Sequence, residues 1–234
     1  MNLLERMLDY LPGGSKVGGA DEQRLDVWRN ARNADLKRPH SRQRYVVVDT
    51  ETTGVDLRRD RLIAIGAVAV ERNRIALYDC FETVLRQDKA SGDANILVHR
   101  IGGQTQLSGV EPRAAMLAFL EFLDKSPLVA FRAEFDQAMI ERGMRSILGL
   151  SFRHPWIDLA FLLPALNPGT ECRALDDWLR HFRLAGGERH QALADAFATA
   201  QLLQIALVAA DRVEMGDAAQ LIAMQKAQRW LGKR

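Results

Sequence analysis

The sequence predicts an α/β fold in which helices pack against the faces of a mixed β-sheet. Three strand-like apolar runs follow one another at 45–49, 61–72 and 76–86, and short polar segments separate them. Such short connections favour hairpins and therefore antiparallel neighbours. A fourth short apolar run, at 127–131, lies between two segments with helical patterns. Strands in succession, followed by a strand between helices, are typical of a mixed sheet covered by helices.

Helical patterns fill most of the second half of the chain. One of these segments begins with Pro112, which is favoured at the first position of a helix because its missing N–H would have no intrahelical partner. A long Ala-rich segment begins at His190. The predicted helices span 112–126, 135–147, 156–166, 174–182 and 190–211, with a last one after Gly216.

With 234 residues, the chain is long enough for one sizeable domain with appended segments. We predict an N-terminal extension of helices and a Gly-rich linker over 1–43, a main domain over 44–210, and a C-terminal helix over 211–234 that packs on the domain. The formal net charge is +2, and apolar residues make up 47%, as is usual for a soluble globular protein. The sequence shows neither a membrane span nor a secretory signal, and Cys80 and Cys172 lack nearby metal-ligand partners. We therefore expect a cytoplasmic protein.

The first predicted strand ends in two carboxylates, within the segment RYVVVDTETTG. Side chains alternate across a strand, so Asp49 and Glu51 project to the same face, about 6–7 Å apart along the chain. Two adjacent anions at the end of a buried strand repel each other and are costly to desolvate. A hard divalent cation such as Mg²⁺ or Mn²⁺ relieves both costs because it prefers carboxylate oxygens. A chain of this composition contains about one Asp-x-Glu by chance, so a metal site requires further carboxylates to join the pair.

Three motifs together resemble those of a known family. The segment DTETTG at 49–54 resembles the first motif of the DEDDh-type 3′→5′ exonucleases, and in particular of the branch related to the proofreading (epsilon) subunit of bacterial DNA polymerase III. The second motif of that family, Phe-Asp opening a helix, is matched by Asp136 in LVAFRAEFDQAMI. The third, His and Asp separated by four residues, is matched by His190 and Asp195 in HQALADAFATAQLL. The resemblance covers roughly residues 44–208.

This resemblance implies a ribonuclease H-like fold with a mixed five-stranded sheet, and a site with two metal ions. The implied ligands are four carboxylates, those of Asp49, Glu51, Asp136 and Asp195, which would hold two Mg²⁺ or Mn²⁺ ions about 3.5–4 Å apart. His190 is the implied general base, since an imidazole with a pKa near 6.5 can accept a proton from water near neutral pH. Five residues of spacing are poor for one face of a helix, so we expect His190 to precede the helix that presents Asp195.

One part of the second motif departs from the family pattern. The family has His-Asn where this chain has Phe131-Arg132. Our hypothesis is that Arg132 faces the nucleic acid and contacts a phosphate; the alternative is that it pairs with Glu134 or another acid. The resemblance further implies substrate contacts from Thr52 and Thr53.

The implied function is metal-dependent 3′→5′ hydrolysis of single-stranded DNA ends, with release of nucleoside 5′-monophosphates in proofreading or repair. A DNA polymerase subunit is the implied protein partner. Two alternatives stay open. One is an RNA-trimming or oligoribonuclease-type exonuclease with the same site, and the other is a non-catalytic nucleic-acid-binding module of a polymerase assembly.

Overall fold

The computed structural model describes residues 19–184 and 190–231. Residues 1–18 of the predicted N-terminal extension lie outside the described residues, as do 185–189 and 232–234. The chain divides into two units, of which the first ends at Arg32 and the second begins at Asn33. Within the first unit, helix α1 spans Gly19–Asn30. It carries acidic residues in its first turn and an arginine in its last, which is the favourable orientation for the helix dipole.

The second unit contains a five-stranded mixed sheet. Its strand order is β3-β2-β1-β4-β5. Strand β1 pairs antiparallel with β2, and β2 pairs antiparallel with β3, so the prediction from the short connections is confirmed. Strand β1 pairs parallel with β4, and β4 pairs parallel with β5. The strands span Arg44–Thr52 (β1), Leu62–Glu71 (β2), Arg74–Val84 (β3), Leu128–Ala130 (β4) and Trp156–Asp158 (β5).

The fifth strand corrects one sequence prediction. We expected a single helix over 156–166, but Trp156–Asp158 forms β5 and the helix begins at Leu159. The three strand residues are all buried, and a run of three apolar or acidic residues is too short to show either a strand or a helix period. Asp158 ends the strand and its carboxylate accepts a hydrogen bond from Ala160 N at 3.0 Å, which caps the helix.

Eight α-helices accompany this sheet in the described part of the second unit. The Ala-rich helix α8 packs against β1, β2 and β3. On the opposite face of β1 lies α5, which contacts β1 and β2. The helices span Asp93–His99 (α2), Gly103–Leu107 (α3), Pro112–Leu123 (α4), Glu134–Leu148 (α5), Leu159–Leu166 (α6), Leu175–His181 (α7), Ala192–Asp211 (α8) and Ala218–Leu231 (α9), and a short 3-10 helix spans His40–Arg42.

Helix α8 is long and apolar enough to cross a membrane by length and composition alone. It is the central helix of the domain, and its first turn carries a buried carboxylate, that of Asp195. Its alanines and leucines pack against Tyr45 and Val47 of β1 in one hydrophobic core. Burial against the sheet therefore accounts for its apolar character.

The C-terminal helix α9 covers the edge of the sheet at β5. Gln225 accepts a hydrogen bond from Asp158 N at 2.6 Å and donates one to Trp156 O at 2.8 Å. Leu221 of the same helix is fully buried. These contacts satisfy backbone groups that an edge strand would otherwise leave open.

Candidate active site

Three carboxylates meet at the carboxyl end of β1. Asp49 and Glu51 lie on β1, and Asp195 lies in the first turn of α8. Each can offer an oxygen that lies within 4.8 Å of those of the other two. Alternation along β1 points Asp49 and Glu51 to the same face as Tyr45 and Val47, which is the face that α8 covers. We call these three residues the carboxylate site.

Gly66 permits the close approach of α8 to the sheet. It lies on β2 directly opposite Asp49. A Cβ atom at this position would lie 2.5 Å from Leu193 Cα and closer still to the backbone of Ala192 and Leu193. Only a glycine therefore lets the first turn of α8, with Asp195, rest on the sheet beside Asp49. The sequence signal was a single glycine inside an apolar strand, which is typical of a close backbone approach.

His190 lies beside Asp195, just before α8 begins at Ala192. This is the placement that the five-residue spacing predicts. The backbone N–H of His190 donates a hydrogen bond to Asp195 Oδ2 at 2.9 Å, which fixes the carboxylate. His190 has a φ of +63°, a left-handed conformation that is uncommon for a non-glycine residue and is concentrated at functional sites. Its side chain is exposed and accessible to water and substrate.

Asp136 is not one of the three carboxylates of this group. Its carboxylate accepts a hydrogen bond from Thr50 Oγ1 at 2.7 Å. Thr50 points to the face of β1 opposite to Asp49 and Glu51, because side chains alternate along the strand. Burial raises the pKa of Asp136 to about 7, while the hydrogen bond from Thr50 lowers it. The structure thus brings three of the four predicted ligands within 4.8 Å of one another, and Thr50, which lies between Asp49 and Glu51, holds the fourth, Asp136.

The segment before Asp136 is anchored by a buried aspartate. Asp158, which is only 1% exposed, accepts hydrogen bonds from Arg132 N at 3.0 Å and from Arg229 of α9 at 3.3 Å. Burial raises the pKa of Asp158, and its hydrogen bonds lower it. Arg132 itself has a φ of +61°, so the anchor holds an uncommon backbone conformation.

The Arg132 side chain is exposed, and its guanidinium donates a hydrogen bond to the carbonyl oxygen of Arg173 at 3.4 Å. Within residues 19–184 and 190–231 it makes no ion pair with Glu134 or any other acid. The alternative that an acid neutralises Arg132 is therefore not observed there. Its charge is available to a ligand.

Thr52 and Thr53 order the loop that follows β1. Thr52 Oγ1 donates to Gly54 O at 2.6 Å. Thr53 Oγ1 donates to Asp60 Oδ1 at 2.8 Å and accepts from Arg61 N at 2.9 Å. Both hydroxyls thus hold the loop in one conformation beside the carboxylate site, and their contact with substrate remains a prediction.

The sequence matches the model of the exonuclease family, RNase_T, over residues 46–203. The chain therefore belongs to this exonuclease family. It is 31% identical over 165 residues to a PolC-type DNA polymerase III of Clostridium perfringens, covering 68% of this chain but 11% of that protein. It is 28% identical over 164 residues to the DNA polymerase III subunit epsilon of Aquifex aeolicus, covering 68% of this chain and 77% of that subunit. The chain thus spans about a tenth of the length of the PolC-type relative.

Two solved structures share the fold. One is E. coli Exonuclease I in complex with a dT13 oligonucleotide, with a TM-score of 0.62 and 15% identity, covering 74% of this chain and 42% of that one. The other is Exonuclease X in complex with 5′ overhanging duplex DNA, with a TM-score of 0.61 and 20% identity, covering 77% of this chain and 99% of that one. The predicted family and the predicted ribonuclease H-like α/β fold are confirmed.

Proposed function

We propose that this chain is a metal-dependent 3′→5′ exonuclease that hydrolyses phosphodiester bonds at single-stranded DNA 3′ ends and releases nucleoside 5′-monophosphates. The observation that carries the proposal is the convergence of Asp49, Glu51 and Asp195 within 4.8 Å, beside the exposed imidazole of His190. Membership of the exonuclease family supports the same reaction.

The donor set fits hard divalent cations. It consists of carboxylate oxygens alone, which Mg²⁺ and Mn²⁺ prefer. Three anions within 4.8 Å of one another repel, and a bound cation offsets that repulsion. Asp136 is the proposed fourth ligand, and a nearby cation would favour its ionised form over the neutral form that burial favours. When bound, the two proposed ions supply charge stabilisation at the phosphate and lower the pKa of water.

The side chains of the chain itself would orient the substrate and move one proton. An imidazole nitrogen of His190 accepts the proton of the attacking water. The backbone N–H of His190 holds Asp195 in place at 2.9 Å, so that one residue combines the proton acceptor and the support of a ligand. Thr52, Thr53 and Arg132 are the proposed contacts to the terminal nucleotide and its phosphate.

DNA is the proposed substrate, and a replicative polymerase is the proposed partner. Both follow from the names of the relatives, which are DNA polymerase III proteins, and from the DNA named in the two related structures. A cytoplasmic location belongs to the same proposal. In this scheme 44–210 is the catalytic domain, while 1–43 and 211–234 are appended to it.

The deciding experiment is a nuclease assay with 5′-labelled single-stranded oligonucleotides of matched DNA and RNA sequence. Activity should disappear in EDTA, return with Mg²⁺ or Mn²⁺, and disappear again in Asp49→Asn or Asp195→Asn. Asp211→Asn is the matched control, because Asp211 is exposed and ends the helix whose first turn carries Asp195.

Each alternative has its own outcome in this assay. Faster cleavage of RNA than of DNA would support the RNA-trimming enzyme. Binding of either strand without cleavage would support the non-catalytic module. Cleavage that persists in excess chelator would contradict the metal-dependent mechanism.

A further inference from the structure

A groove lined by arginines lies next to the loop that follows β1. It is a cavity of about 280 Å³ between the start of β2, the segment after β3 and one side of α5. Its buried lining is apolar and includes Leu62 and Met139. Three arginines, Arg61, Arg86 and Arg142, contribute to the lining. We call this cavity the arginine groove.

The charge of the groove is positive and is not neutralised by neighbouring acids. Asp88 is the single acidic residue in its lining. Arg61 donates to the side-chain oxygen of Gln87 at 3.2 Å and to the carbonyl oxygen of Lys89 at 3.3 Å, which are uncharged acceptors. Arg142 donates to the carbonyl oxygen of Leu57. Among the residues that the structure describes, none of the three arginines forms an ion pair with a carboxylate.

Another arginine shows how this chain neutralises such a group elsewhere. Arg44 forms an ion pair with Asp79 at 2.9 Å. In the groove, by contrast, uncharged acceptors orient the guanidinium groups of Arg61 and Arg142. Their positive charges are not neutralised and therefore repel one another. A phosphate relieves that repulsion, and the planar guanidinium matches its oxygens with two parallel hydrogen bonds.

The groove adjoins the carboxylate site along two elements. Leu62, in its lining, pairs with Thr52, the residue after Glu51. On α5, Met139 follows Asp136 by three residues, so the two lie on neighbouring turns of the same side of the helix. The carboxylate site lies on the face of β1 that α8 covers, and the groove lies on the face that α5 covers. A strand whose 3′ end reaches the carboxylates would pass the end of β1 at Thr52 to enter the groove.

We propose that the arginine groove binds the backbone phosphates of the nucleic-acid strand, upstream of the bond that is cleaved. This inference rests on the proposed exonuclease function. The groove would add binding contacts for a long strand whose 3′ end lies at the carboxylate site. Contacts to phosphates are independent of sequence, and an enzyme that removes nucleotides one after another needs such contacts.

The test compares a long oligothymidylate with the p-nitrophenyl ester of thymidine 5′-monophosphate, which is too small to reach from the carboxylates into the groove. The variants are Arg86→Gln, which removes an exposed guanidinium, and the pair Arg86→Gln with Arg142→Gln. Arg153→Gln is the matched control, because Arg153 is exposed and precedes β5 at the opposite edge of the sheet.

We expect the paired variant to raise KM for the oligomer by about 5–10-fold, because two charge-assisted phosphate contacts are lost. The slope of log affinity against log salt should become shallower by about 0.7 per lost contact. The effect should be confined to the long oligomer. The paired variant should hydrolyse the ester with the same kcat and KM as the parent protein.

Three outcomes would overturn or separate the two proposals. If the parent protein cleaves both substrates and the paired variant keeps its KM and salt slope, the groove proposal is wrong and the exonuclease proposal stands. If the variant loses both activities equally, the arginines act through the fold and the groove proposal is again wrong. If the parent cleaves neither substrate, the exonuclease proposal fails. In that case, fluorescence anisotropy of the labelled oligomer in EDTA measures binding without cleavage. The groove proposal requires the paired variant to bind the oligomer more weakly than Arg153→Gln does, and equal binding would overturn it.

Discussion

Replacing Gly66 by alanine tests whether this residue sets the distance between the strand and helix carboxylates. The new Cβ would lie 2.1 Å from Leu193 N, against an ordinary contact of 3.4–4 Å, so the start of α8 must move by at least about 1.3 Å. The obstacle is backbone, and no side-chain rotation removes it. The shift separates Asp195 from Asp49. A misplacement of 1 Å in an active site lowers turnover by about 10²-fold, and overpacking destabilises by about 1–3 kcal/mol.

The assay is kcat on single-stranded DNA with saturating Mg²⁺, together with thermal unfolding followed by circular dichroism. We expect kcat to fall by about 10²-fold and Tm to fall by about 2–12 °C. Gly216→Ala is the matched control, because a Cβ at Gly216 meets nothing within 4 Å. If Gly66→Ala kept the parent kcat at a temperature where it is folded, the reasoning from Gly66 to the carboxylate distance would be refuted.

Four further predictions concern the proton acceptor, the metal, the substrate contact and pH. His190→Ala should lower kcat by about 10²–10⁴-fold and remove the acidic limb of the pH–rate profile; an unchanged profile would exclude it as the base. Mg²⁺ or Mn²⁺ should raise Tm by binding the folded carboxylate site, and Asp49→Asn should abolish the increase; an equal increase in the variant would place the ion elsewhere. Arg132→Ala should raise KM for DNA, and unchanged affinity and turnover would end its role as a phosphate contact. Burial lowers the pKa of His154 to about 4 from 6.5, so the unfolded state binds more protons between these values. Stability should therefore rise with pH across that window by at most about 1.4 kcal/mol per unit for this group; urea unfolding of His154→Gln should show a shallower rise, and an equal rise would refute the assignment.

Local patterns predicted most of the sheet because the signals lie close together in the chain. The short connections between 45–49, 61–72 and 76–86 required hairpins, and the structure has them. Strand β5 was missed because three residues carry no period, and because the residues of β4 with which it pairs lie 28 positions earlier in the chain. This segment forms a strand because it pairs with β4 and because α9 bonds its backbone. Both contacts come from distant parts of the chain, so the local sequence does not predict them.

The carboxylate site was predictable in part. Alternation along β1 placed Asp49 and Glu51 together, and the third motif added Asp195. The hydrogen bond of 2.7 Å by which Thr50 holds Asp136 was not predictable from the three motifs. That hydrogen bond depends on how α5 packs against the sheet. Such packing cannot be predicted from a short sequence segment.

The anchoring of Arg132 by Asp158 has a consequence for the order in which contacts form while the chain is synthesised on the ribosome. Two residues of α9 support this region. Arg229 donates a hydrogen bond to Asp158 at 3.3 Å, and Gln225 bonds the backbone of β5. During synthesis Asp158 and β5 therefore lack these α9 contacts until residues 218–231 have emerged. We therefore expect the support of the Arg132 turn to be complete only after this late segment has folded.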